Sequence, residues 1–156
     1  MTTTLSLTVN GRAEAIEVEG DETLLDALRR ELLLISVREA CGIGVCGSCT
    51  VMLDGRPVSS CLLLAGLAEG RSVETVESLS PDGELHPIQQ AFVDHTAFQC
   101  SFCTPGFLLA TKALLEENSS PTADEVRHYL AGNLCRCGSY THIEAAVLDA
   151  AERLRS

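Results

Sequence analysis

Eight cysteines are the residues of this chain best suited to chemistry, and they fall into two sets of four. One set combines Cys100 and Cys103, in Gln99-Cys100-Ser101-Phe102-Cys103-Thr104-Pro105-Gly106, with Cys135 and Cys137, in Gly132-Asn133-Leu134-Cys135-Arg136-Cys137. The other is Cys41, Cys46 and Cys49, spaced C-x4-C-x2-C, followed by Cys61 after eleven residues. Four thiolates in close groups are what one metal centre needs. No secretory leader is legible from Met1 to Val9, so a reducing compartment is expected and metal is favoured over disulfides.

Spacing separates the candidate metals unequally. Sulfide-bridged iron takes soft anionic thiolates, and C-x4-C-x2-C matches the plant-type ferredoxin loop. Structural zinc prefers paired C-x2-C knuckles, which this loop does not supply. Gly42, Gly44 and Gly47 let the backbone wrap closely and aim N–H groups at sulfur. The second set, C-x2-C followed by C-x-C, admits either zinc or an iron–sulfur cluster on spacing alone. His86, His95, His128 and His142 lie outside both sets and read as surface or helix-end residues. No phosphate loop, Ser/His/Asp arrangement or carboxylate pair stands out, so no catalytic constellation is expected in this chain.

The elements that must position these thiolates follow from periodicity. Leu5, Leu7 and Val9 alternate with polar residues, Asn10-Gly11 signals a tight turn, and Ala13 to Val18 alternates again. Thr23 caps a helix bearing Leu24, Leu25, Leu28 and Leu32, expected to end near Leu33. Asp54-Gly55 signals a second hairpin between Thr50–Leu53 and Pro57–Ser60, and 73–77 can close the sheet. Around Ser80-Pro81-Asp82-Gly83 strand alternation stops. Four helices are then expected: one over 86–96, one opened by Thr104 with Pro105 first, and two opened by capping boxes at Thr122–Glu125 and Thr141–Glu144. The reading is α+β, with domains at 1–79 and 80–156.

Of the 156 residues 46% are apolar, which suffices for a packed core, and with no tryptophan aliphatic residues must fill it. A net charge of −11 with scattered basic residues argues against a nucleic-acid partner. No stretch is long and apolar enough to span a bilayer, so a cytoplasmic protein is expected unless a partner carries an export signal.

Together, the two cysteine motifs resemble the small iron–sulfur subunit of the molybdenum hydroxylases, the xanthine oxidase family, from about Leu5 to Leu154. The resemblance implies an N-terminal β-grasp ferredoxin-like domain whose [2Fe–2S] cluster is bound by Cys41, Cys46, Cys49 and Cys61. It implies a C-terminal four-helix-bundle domain holding a second [2Fe–2S] cluster on Cys100, Cys103, Cys135 and Cys137. Gln99 would hydrogen-bond the molybdopterin of a large partner subunit. Electrons would pass through both clusters to FAD in a medium subunit, in a dimer of heterotrimers, or to a cytochrome in branches lacking flavin. Ser101 stands where the family usually has glycine, and Gly138-Ser139-Tyr140 where many relatives read Thr-Gly-Tyr. The second of these departures resembles the branches acting on N-heteroaromatics or aldehydes more than the carbon monoxide branch. Two other readings stand beside this one: a free ferredoxin-like carrier, and a zinc-stapled interaction module.

Overall fold

Strand alternation and two tight turns build the first half. The computed structural model describes residues 2–156. Strands β1 (Thr2–Val9) and β2 (Arg12–Glu19) pair antiparallel, with Leu5 opposite Ile16. The turn between them holds Asn10 and Gly11 at φ 50° and 78°, the mirror-image turn that suits twisted strands. Strands β3 (Thr50–Leu53) and β4 (Arg56–Ser59) form the second hairpin, with Asp54 and Gly55 at φ 48° and 77°. Strand β5 (Ser72–Glu74) lies between the hairpins, parallel to β1 and antiparallel to β3. The order β2-β1-β5-β3-β4 makes a five-stranded mixed sheet, the β-grasp arrangement.

Helix α1 (Leu24–Glu31) lays Leu24, Leu25 and Leu28 on this sheet, and the Thr23 side chain accepts from Asp26 N–H as the expected cap. The helix stops two residues short of the expected end, because Leu33 turns left-handed at φ 54°. Beyond β5 the chain does not continue as strand. Residues 76–79 form a 3-10 turn that delivers Val76 and Leu79 to the helical core.

Four helices follow: α2 (Pro87–Asp94), α3 (Thr104–Glu117), α4 (Ala123–Tyr129) and α5 (Tyr140–Arg155). Helix α3 is apolar nearly all round and buries Phe107, Leu109, Ala110 and Leu114, as a central helix should. The Thr122–Glu125 capping box forms as expected. The Thr141–Glu144 box does not. Ile143 N–H already bonds Ser139 C=O at 2.9 Å, so the chain is helical from Tyr140 and Thr141 lies inside the helix. Likewise Cys103 caps α3, so Thr104 and Pro105 fill its first two positions, where a missing N–H breaks no bond. All four histidines lie at helix ends: His86 caps α2, His95 ends it, His128 lies in the last turn of α4, and His142 in the first turn of α5.

Two apolar cores result, one under the sheet and one among the helices. Met52 of β3 packs with Leu109 and Ala113 of α3 and joins them. Lys112 of α3 reaches Glu74 of β5 at 3.2 Å.

Helices α2 and α5 are tied at the surface by Arg153, which pairs with Asp94 and Asp149, while His95 also meets Asp149. The Arg153 hydrogen bond holds both carboxyls below their ordinary value of 3.8. With the folded value below the unfolded one, the unfolded state binds more protons as the pH falls. The stabilisation is therefore full above about pH 5 and lost as the pH drops below about 4. Urea midpoints measured across that range should fall toward low pH, and Arg153→Ala should flatten that slope. An unchanged slope in the variant would contradict this account.

Candidate iron–sulfur sites

The first set is built by a loop that wraps around sulfur. Cys46 and Cys49 are buried, and Cys41 and Cys61 half-buried. Gly42, Gly44 and Gly47 have φ of 65°, 74° and 69°, which turns successive N–H groups inward. N–H groups of Ile43, Val45 and Cys46 point at the Cys41 sulfur, and that of Ile43 leads in drawing its pKa down to about 6. Gly44 N–H points at Cys61, but burial and the Cys49 sulfur beside it push that thiol up to about 11. Cys61 is brought alongside from the far side of the β3–β4 hairpin, where Ser60 N–H and Oγ–H both bond Cys49 C=O, at 3.3 and 2.7 Å.

The second set joins the loop before α3 to the loop before α5. Cys135 is buried, Cys103 half-buried, and Cys100 and Cys137 exposed. Phe102 N–H leads in lowering the Cys100 pKa. Burial pushes Cys103 up to about 12. Burial also pushes Cys135 up, but hydrogen bonds led by the Ser139 N–H, 3.5 Å from its sulfur, outweigh it together with Cys103 and the Cys137 backbone, so the net shift is downward. Tyr140 Oη accepts from Cys135 N–H at 2.9 Å and fixes the backbone there. A crevice of about 370 Å3 is lined by Cys100, Cys103 and Cys135, with Cys46 and Ser48 of the first loop on its other wall.

In both sets the sulfurs meet two by two. Cys100 and Cys137 sulfurs lie 3.6 Å apart, and Cys41 with Cys46, Cys49 with Cys61 and Cys103 with Cys135 lie close enough to shift one another's pKa. Among the described residues, no three Cys, His, Asp or Glu side chains converge on a point where one ion would sit. Two pairs facing each other suit a two-iron cluster, in which each iron takes two thiolates. A single tetrahedral zinc draws all four sulfurs to one centre. The donors therefore fit [2Fe–2S] groups.

Gln99 is exposed beside Cys100 and Cys137, and its Nε2 donates to Cys137 C=O at 3.3 Å. Ser101 sits at φ 61°, the left-handed backbone that favours glycine. Its carbonyl accepts from Arg38 Nη1 at 2.8 Å, and the Arg38 guanidinium stacks 5.2 Å from the centre of the Phe102 ring. Arg38 was not legible as a site residue, because an arginine in a loop carries no spacing signal. Asn133 and Ser139 had a weak signal, since both adjoin the cysteine motif.

The two sites touch. Leu134 N–H bonds Cys46 C=O at 2.9 Å, and Asn133 Nδ2 donates to Gly47 C=O at 3.2 Å. Gly106, near the start of α3, lies so close to Gly47 that a Cβ there would be 2.1 Å from the Gly47 oxygen. Among the described residues two buried polar side-chain atoms lack a hydrogen-bond partner, Thr111 Oγ1 and Ser139 Oγ. Each such orphan costs about 1–3 kcal/mol.

Comparison with known proteins agrees with this geometry. Residues 7–76 match the family model described as a 2Fe-2S iron-sulfur cluster binding domain, and residues 75–148 match the one described as a [2Fe-2S] binding domain. The nicotine 6-hydroxylase small subunit of Paenarthrobacter nicotinovorans is 51% identical over 146 residues, 94% of this chain and 88% of that protein. The nicotinate dehydrogenase small FeS subunit of Eubacterium barkeri is 45% identical over 150 residues, 96% of each chain. A chain of quinoline 2-oxidoreductase from Pseudomonas putida 86 superposes with a TM-score of 0.95 at 45% identity, covering 99% of this chain and 96% of that one. With both domain families present in order and more than nine-tenths of its length shared with these relatives, this chain belongs to the family of small iron–sulfur subunits of the molybdenum hydroxylases.

Proposed function

We propose that the chain is the electron-relay subunit of a molybdenum-dependent hydroxylase, with one [2Fe–2S] cluster in each of two units, residues 1–79 and 80–156. Cys41, Cys46, Cys49 and Cys61 hold the first, and Cys100, Cys103, Cys135 and Cys137 the second. When bound, the clusters supply one-electron uptake and release. Electrons enter from molybdopterin in a large partner subunit, at the end of the helical unit where Gln99, Cys100 and Cys137 are exposed. They leave from the β-grasp unit to FAD in a medium subunit, and two such heterotrimers pair. An N-heteroaromatic ring is the substrate class this reading favours, supported by the nicotine, nicotinate and quinoline enzymes to which the chain is similar.

The Leu134 N–H···O=C Cys46 hydrogen bond carries this reading. Electron tunnelling falls steeply with distance and is carried better through bonded atoms than through space. Here one hydrogen bond links the backbone of a first-set ligand to the residue preceding a second-set ligand. Asn133 to Gly47 and Arg38 to Ser101 hold the two loops in that relation. Exposed apolar residues flank both sites, Ile43, Val45 and Leu62 at the first and Phe102 and Leu134 at the second, as docking surfaces require.

Affinity recovery of the chain from its own host tests the assembly. The expected result is a stable complex with a large subunit carrying molybdopterin and a medium subunit carrying flavin. Recovery as a soluble monomer loaded with both clusters would instead make the chain a diffusible carrier.

A further inference from the structure

We propose that Ser139 sets the reduction potential of the C-terminal cluster apart from that of the N-terminal one, by donating its hydroxyl proton to sulfur at Cys135. The inference rests on the reading of Cys135 as a cluster ligand.

Ser139 stands at the N-cap of α5, where a serine ordinarily accepts a hydrogen bond from the first turn of the helix. Here it makes no such bond. Its N–H is already spent on Cys135 Sγ at 3.5 Å. Its hydroxyl is unpartnered although the residue is only 3% exposed. Native proteins rarely leave a buried hydroxyl unsatisfied, and one that is orphaned next to a metal ligand points to a hydrogen bond completed when the metal binds. The sulfur that the N–H of the same residue faces, at 3.5 Å, is that of Cys135. With iron bound, that sulfur stays anionic and accepts the proton that nothing else receives.

The sign follows from charge. Reduction adds one negative charge, shared between iron and sulfur. A donor to sulfur stabilises the more negative state and raises the potential. Removing the hydroxyl should lower it. The N-terminal cluster, in its own loop, serves as the internal reference.

The test is an EPR-monitored redox titration of the native complex carrying Ser139→Ala, with Ser139→Thr as the conservative variant. In Ser139→Ala the distribution of electrons between the clusters should shift about tenfold toward the N-terminal one, equivalent to 59 mV for a one-electron couple. Ser139→Thr should restore the wild-type distribution. If Ser139→Ala fails to load iron, Ser139→Gly carries the same expectation. An unmoved C-terminal potential, or equal shifts in both clusters, would overturn the proposal and make Ser139 a packing residue. Loss of the cluster in both variants would also overturn it, making Ser139 a residue of cluster assembly. Absence of iron from the wild-type chain would instead overturn the ligand assignment itself.

Discussion

Gly106→Ala should cost about 3 kcal/mol, the upper end for forcing a methyl group into a packed site. In an exposed helix the same change would stabilise by about 1 kcal/mol, because alanine loses less backbone entropy than glycine. The reversal comes from one contact. The new Cβ would stand 2.1 Å from the Gly47 oxygen and 3.1 Å from its carbonyl carbon. Both are backbone atoms, and the Gly47 carbonyl is already held by Thr50 N–H at 3.2 Å, Thr50 Oγ1 at 2.7 Å and Asn133 Nδ2 at 3.2 Å. Relief requires α3 to back away from the first ligand loop, which would stretch the Leu134–Cys46 bond as well. The variant should therefore unfold at lower urea, and electron exchange between its clusters should slow. Gly66→Ala is the control, since nothing lies within 4 Å of a Cβ there. Equal stability of the two variants would contradict the tight contact.

Replacing one ligand in each set should remove one cluster and spare the other. Cys49 and Cys135 are suitable targets, being 2% and 7% exposed. Serine keeps the size of cysteine but offers a hard, weakly acidic oxygen where soft thiolate is needed. Cys49→Ser and Cys135→Ser should each lower iron from about four to about two per chain and abolish a different EPR signal. Losing a residue that merely supports a metal ligand costs about 10–100-fold, so loss of the ligand itself should slow turnover of the complex by more than 100-fold. Turnover at the wild-type rate in either variant would show that electrons bypass that site.

Much of this was legible before the structure. The turns at Asn10-Gly11 and Asp54-Gly55 were readable because positive φ at both central positions admits few residue types. The first cysteine loop stood out because metal chemistry restricts both residue type and spacing. Helix starts were less so. Thr122-x-x-Glu125 caps α4, but the same pattern at Thr141-x-x-Glu144 lies inside α5, since Ser139 C=O had already begun that helix. The contact between the two halves was not legible. It depends on Gly47, Gly106, Asn133 and Arg38; the first three stand in or beside the cysteine motifs, but each is distant from its partner along the chain and no pattern pairs them. Nor did any pattern show that the Ser139 hydroxyl would be buried without a partner.

The arrangement of sulfurs in facing pairs is the core of the account, and the metal content of the native complex tests it most directly. Iron, acid-labile sulfide and EPR should be measured on the same dithionite-reduced sample. The account predicts about four iron and four sulfide per chain, with two distinct [2Fe–2S] signals. About two zinc per chain, with no colour and no signal, would contradict it and leave both cysteine sets as structural staples.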